Sequence, residues 1–161
     1  MSAEALEKLR KEVEKAAEGL VFISESDARV VFVSAPEARV TEVTPEAVVT
    51  WLSAKHDGRT DVFLSPTPLP RLAEKAVEVK SAGDFLARRT EVADPSDPES
   101  GKYASQWSQI RQALEEHLQE LRVIRFGEAH RGSVDGQISV FVVGRTQEGA
   151  LAGILTGSVE T

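Results

Sequence analysis

The sequence predicts an α+β fold in which helices pack on a mainly antiparallel sheet, and three observations predict it. Residues 4–17 and 102–121 carry apolar side chains three and four positions apart, the period of a helix with one buried face. After residue 121 the period changes to two, so 123–126, 138–144 and 151–159 read as strands. The last two are joined by a short link containing Gln147, Glu148 and Gly149, which suits an antiparallel pair. No repeat or low-complexity tract points to a solenoid.

Taken in order, the first helix buries Leu6, Leu9, Val13 and Ala16, with Ser2 as its N-cap and Gly19 as its stop. Residues 20–23 form a short buried strand that the polar turn 24–27 ends. Residues 30–34 are β-branched and form a second strand, and 40–43 continue the sheet. Thr44, Pro45 and Glu46 supply an N-cap, a first-turn proline and an acid, so a helix starts there and runs to about Ala54. His56, Asp57 and Gly58 make a turn, 62–64 is strand-like, and Pro66, Pro68 and Pro70 impose an extended loop. A short strand at 77–79 follows. Ser81 then caps a short helix through Phe85 and Leu86. Residues 94–101 are a polar, proline-containing loop. In the long helix Tyr103, Trp107, Ile110, Leu114, Leu118 and Leu121 share a stripe expected in the core. The glycine-bearing stretches 127–137 and 146–149 are the links between the final strands.

The 161 residues suit one domain, 1–161, and a chain of that length buries roughly 70% of its unfolded surface. At 41% hydrophobic and 28% charged residues it can build a core without disulfides, and it has no cysteine with which to form them. No apolar run approaches the ~20 residues of a membrane span. The N-terminus lacks the basic and apolar regions of a secretion signal, so none is expected. A net charge of −7 argues against a nucleic-acid binder, which needs a basic face. That charge suits a basic protein partner, although on charge alone simple solubility explains it as well.

No motif of a hydrolase, nucleotide-binding protein or zinc peptidase occurs. Of the histidines, His117 falls on the charged face of the long helix, and His56 and His130 fall in expected loops. Glu128 and His130, with Asp135 nearby, match no familiar metal spacing and read as surface loop. Adjacent acids such as Glu115 and Glu116 diverge on a helix and cannot share a proton as a catalytic dyad does. Catalytic residues are therefore expected to be absent.

Three stretches resemble the nuclease A inhibitor family. The first is Gly19-Leu20-Val21-Phe22-Ile23-Ser24-Glu25-Ser26, with Phe32 downstream; the second is Val123-Ile124-Arg125-Phe126-Gly127-Glu128. The third runs from Val140-Phe141-Val142-Val143-Gly144-Arg145-Thr146 through Gly149-Ala150-Leu151-Ala152-Gly153-Ile154 to Val159-Glu160-Thr161. The middle, about residues 35–100, departs from the pattern, and 66–70 reads as an insertion. The resemblance implies an αβα sandwich and a non-catalytic inhibitor of sugar-non-specific ββα-metal nucleases, which cut DNA and RNA with Mg²⁺. It implies no cofactor in the inhibitor itself, the Mg²⁺ belonging to the partner, and a cytoplasmic location. Residue by residue, it assigns nuclease contact to Glu25, flanked by Ser24 and Ser26. It also brings Thr161, with Glu160 beside it, to the partner's Mg²⁺. A loop aromatic that forms a third family contact has no counterpart; its place falls near Pro95.

The residue chemistry is compatible with this. Mg²⁺ prefers hard oxygen donors, which Thr161 offers in a hydroxyl and a carboxylate, and a strand leading into it limits the entropy lost on docking. Taken alone, the residues favour plainer readings: Glu25 as a turn residue bonding nearby backbone N–H groups, and Thr161 as one more chain end. The resemblance turns both toward contact. The alternative function is a protein-binding or scaffold module of the same fold with another partner, which the divergent middle and the missing aromatic motivate; an unrecognised hydrolase is a third.

Overall fold

The computed structural model describes residues 3–23, 27–56, 71–130 and 133–160. Among them are four helices, a five-stranded antiparallel sheet and a two-stranded ribbon. The expected strand at 62–64, the prolines 66–70, Ser2 and the Asp57-Gly58 turn lie outside the described residues.

Helix α1 (Ala3–Ala16) buries Leu6, Leu9, Val13 and Ala16 as expected. Gly19 stops it with φ +71, a left-handed conformation that glycine adopts without steric cost. The next strands are shorter than the sequence suggests. Among the described residues β1 (Val21–Phe22) pairs only with β2 (Ala28–Arg29), in a ribbon separate from the main sheet. Ile23, expected to be buried, is 63% exposed. β3 (Val31–Ala35) lies one residue later than expected and forms an edge of the main sheet.

Residues 40–43 do not form a strand. Their backbone donors go elsewhere: Val40 N–H donates to the Gly149 carbonyl at 3.0 Å, and Val43 N–H to the Glu120 carboxylate at 3.1 Å. β-Branched composition cannot create a ladder where no neighbouring strand is available. Helix α2 (Pro45–His56) starts where the capping signal puts it, with the Ala47 N–H donating to Thr44 Oγ1 at 3.1 Å. His56 is thus the last helical residue, not part of a loop.

A 3₁₀ turn (Leu72–Glu74) leads into β4 (Ala76–Ser81), and Ser81 caps α3 (Ala82–Thr90), which continues past Leu86. The polar stretch 94–101 is only half loop. Asp94 accepts from the Ser96 backbone and hydroxyl at 3.0 and 2.7 Å. Asp97 then caps α4 (Pro98–His117), with Pro98 opening the helix. Proline costs nothing there because the first-turn N–H groups have no helical partner.

That helix ends at His117, so Leu118 and Leu121 do not extend it. Glu120, at φ +54, turns the chain directly into β5 (Gln119–His130). β5 pairs with β6 (Ser133–Arg145) through the stretch expected to be a link, with Glu128 opposite Asp135 and His130 opposite Ser133. The surface-loop reading of Glu128, His130 and Asp135 is therefore corrected to a hairpin. Gly127 serves an irregularity in this pairing: a Cβ there would come within 2.8 Å of the Asp135 carbonyl. β7 (Leu151–Glu160) pairs antiparallel with β6 across the expected short turn, which the Gly149 N–H closes onto the Thr146 carbonyl at 3.0 Å.

The sheet order is β3-β7-β6-β5-β4. Alternating side chains divide the core. Val123, Val140, Val142 and Ile154 face α1, α3 and α4; Ile124, Phe141, Val143 and Leu155 face α2 and the 3₁₀ turn. Helices on both faces make the expected αβα sandwich. Trp107 is fully buried and meets Phe22, Phe85 and Tyr103 edge-on, with centroids 6.1–6.5 Å away. The expectation that the helical stripe is core holds there.

Candidate functional site

β5 places a charge inside an otherwise apolar strand. Arg125 alternates onto the face covered by α3, and its side chain is only 8% exposed. A buried guanidinium requires partners. Arg125 has one on each side: Nη1 donates to Glu78 Oε1 at 2.6 Å, from the paired position on β4, and Nη2 donates to Glu160 Oε2 at the end of β7. Ser158 Oγ donates to the same Glu160 oxygen at 2.8 Å.

Burial pushes the Glu160 carboxyl up, but the hydrogen bonds from Arg125 and Ser158 and the charges of Arg125 and Lys80 outweigh it. The group is left below the ordinary carboxylate range. The last residues of β7 are thereby pinned. One turn of alternation earlier, Thr156 Oγ1 donates to the Arg29 carbonyl at 2.9 Å and ties the β1–β2 ribbon to the same strand.

Ribbon and strand end meet at a cavity of about 430 Å³, whose walls include Phe22, Phe85, Arg89, Arg125, Ser158 and Glu160. Of the sequence candidates, Glu160 is described: 44% exposed, it holds Arg125 with one oxygen. Ser24, Glu25, Ser26 and Thr161 lie outside the described residues. Their neighbours do not: Phe22, two positions before Ser24, and Glu160, next to Thr161, line the same cavity.

Arg125, Arg88 and Arg89 were missed in the sequence. Arg125 had a legible signal, since a lone arginine within Val123-Ile124-Arg125-Phe126 must find a buried partner. Arg88 and Arg89 look like ordinary residues of a helix end.

Among the described residues no three histidines or carboxylates are arranged to hold a metal ion. His117 departs from its expected place on the charged face; it is mostly buried between α4 and α1, 3.4 Å from the Glu12 carboxylate. Elsewhere, the carboxylate of Glu120 accepts from Val43 N–H and from Arg145 Nε at 3.0 Å. These bonds hold it below the ordinary range despite some opposing burial. It thereby fastens the 40–43 segment to the start of β5. No helix among the described residues is long and apolar enough to cross a membrane.

Compared with known proteins, the chain matches the family described as nuclease A inhibitor-like protein over residues 7–161, from the first turns of α1 to the last residue. Among curated proteins, none matches it.

Proposed function

Because the chain belongs to the nuclease A inhibitor-like family, we propose that it inhibits a non-specific ββα-metal endonuclease by occupying its active site. The family match along nearly the whole chain carries the inhibitory role, and with it a nuclease as partner. The finer reading concerns how the contact is made. Glu25, between Ser24 and Ser26, meets a basic side chain or the hydration shell of the metal, and Thr161 brings oxygen donors to the partner's Mg²⁺.

What supports this is the common cavity of Phe22 and Glu160, which brings the flanks of two segments distant in sequence to one side of the molecule. The anchoring of Glu160 by Arg125 and Ser158 supports it further, since a fixed approach to Thr161 loses less entropy on binding. The reading requires no metal in the inhibitor itself and no catalytic residue. A cytoplasmic inhibitor would restrain a nuclease before its export.

Plasmid digestion by a panel of ββα-metal nucleases, with and without the protein, tests the role. Stoichiometric protection against at least one nuclease is expected; undiminished digestion by all of them would end the proposal. For the contacts, Glu25→Ala and deletion of Thr161 are each expected to weaken inhibition by about 2–5 kcal/mol, or roughly thirtyfold and more. An extension beyond Thr161 should act in the same direction. Inhibition constants unchanged in all three variants would leave the inhibitor reading standing and remove this docking mode.

A further inference from the structure

We propose that the cavity beneath α3 is a carboxylate-binding site in which the guanidinium groups of Arg88 and Arg89 are the donors. Partner accounting isolates these two. Arg125 is committed to Glu78 and Glu160, Lys80 lies 3.6 Å from Glu78, and the Ser158 hydroxyl is spent on Glu160. Arg88 is exposed at the rim and has no ion pair or hydrogen bond among the described residues. Arg89 is held over Phe22 and Phe85, 4.7 and 4.6 Å from their ring centroids, and its buried Nε has no hydrogen-bond partner. Two aromatic faces therefore fix the plane of the guanidinium, and its Nη groups also have no hydrogen bond or ion pair among the described residues. A rigid planar fork of this kind suits an oxyanion. Burial lowers the Arg89 pKa, consistent with a cation that has lost water without gaining a counter-charge.

Charge selects the class of ligand. Among the described residues, four cations (Lys80, Arg88, Arg89 and Arg125) and two carboxylates (Asp84 and Glu160) line the cavity; with Glu78, the second partner of Arg125, counted as well, the excess is one positive charge. A monoanion balances that excess, whereas a phosphate dianion overshoots it and meets Asp84 and Glu160 as well. Phe22, Phe85 and Val140 add apolar wall for a methylene stem, and about 430 Å³ accommodates a carboxylate side chain together with its stem. The site is thus fitted to a glutamate-like group. This inference stands independently of the nuclease reading.

The test uses the full-length ¹⁵N-labelled chain, with the arginine Nε–Hε signals followed at constant ionic strength. N-acetylglutamate, N-acetylglutamine and inorganic phosphate are titrated separately. Saturable shifts at Arg88 and Arg89 are expected with N-acetylglutamate. Arg88→Gln, an exposed substitution compatible with folding, should raise its apparent Kd about tenfold, while Lys11→Gln on α1 should leave it unchanged. The proposal is overturned by the absence of saturation or by an equal response to N-acetylglutamine. Tighter binding of phosphate, or an Arg88→Gln variant that binds as well as the parent, overturns it too.

Discussion

Arg125 is a single residue whose removal disturbs two others. Its guanidinium bridges Glu78 and Glu160, so Arg125→Met leaves two carboxylates without their shared counter-charge. Breaking a fully buried pair costs about 3–5 kcal/mol. Glu160 is nearly half exposed, so water recovers part of that, and a loss of about 2 kcal/mol is expected in urea unfolding near neutral pH. The effect has a defined pH sense. The Glu160 carboxyl titrates lower in the folded chain than in the unfolded one. Its contribution is therefore complete above the unfolded value of about 4.3 and disappears as the pH falls through the folded value. The stability gap between parent and Arg125→Met should close across that acidic window. A gap that stays constant down to the lowest pH at which the parent folds would mean that Arg125 acts through packing alone.

At the scale of the element, the start of α4 shows how a local signal overrides a compositional impression. The stretch 94–101 is rich in residues that favour loops, yet Asp97 followed by Pro98 is a helix start. The Glu99 N–H donates to Asp97 Oδ1 at 3.0 Å. Asp97→Ala removes that acceptor and should cost about 1 kcal/mol in thermal or urea unfolding. Hydrogen exchange should rise first in the amides of residues 99–101. A variant with parental stability and exchange would deny the cap any role. β7 has the opposite character, because its tolerance is set by its neighbour rather than by its own residues. A Cβ on Gly153 would stand 2.0 Å from the Val142 carbonyl oxygen on β6, so the close approach of these two strands itself requires glycine.

For the molecule as a whole, the net charge of −7 acts at long range. A nuclease that binds nucleic acid presents a basic cleft, and attraction between unlike surfaces raises encounter rates. The association rate with an inhibited nuclease should therefore fall steeply as salt shortens the screening length toward about 8 Å at physiological ionic strength. The dissociation rate, governed by close contacts, should change little. Rates measured by surface plasmon resonance across a salt series check this, and a salt-independent association rate would rule out steering. Within this acidic surface the cavity under α3 is a local exception, with Arg88 and Arg89 at its edge.

What was legible in the sequence shares a short range. The caps at Thr44 and Ser81, the buried stripe of α1, Trp107 in the core and the period-two strands on both sides of Gln147-Glu148-Gly149 depend on residues within a few positions of one another. The candidate contacts Ser24, Glu25, Ser26, Glu160 and Thr161 came from family resemblance, not from any local pattern, and of these five Glu160 alone lies among the described residues. The tertiary structure decided the rest. It denied residues 40–43 a strand by giving their N–H groups to Gly149 and Glu120. It extended β5 and β6 through a glycine-bearing stretch, and it joined Arg125 to partners 47 and 35 residues away. Periodicity and capping are properties of a single segment, whereas the partner of a buried charge depends on which segments the sheet order brings together.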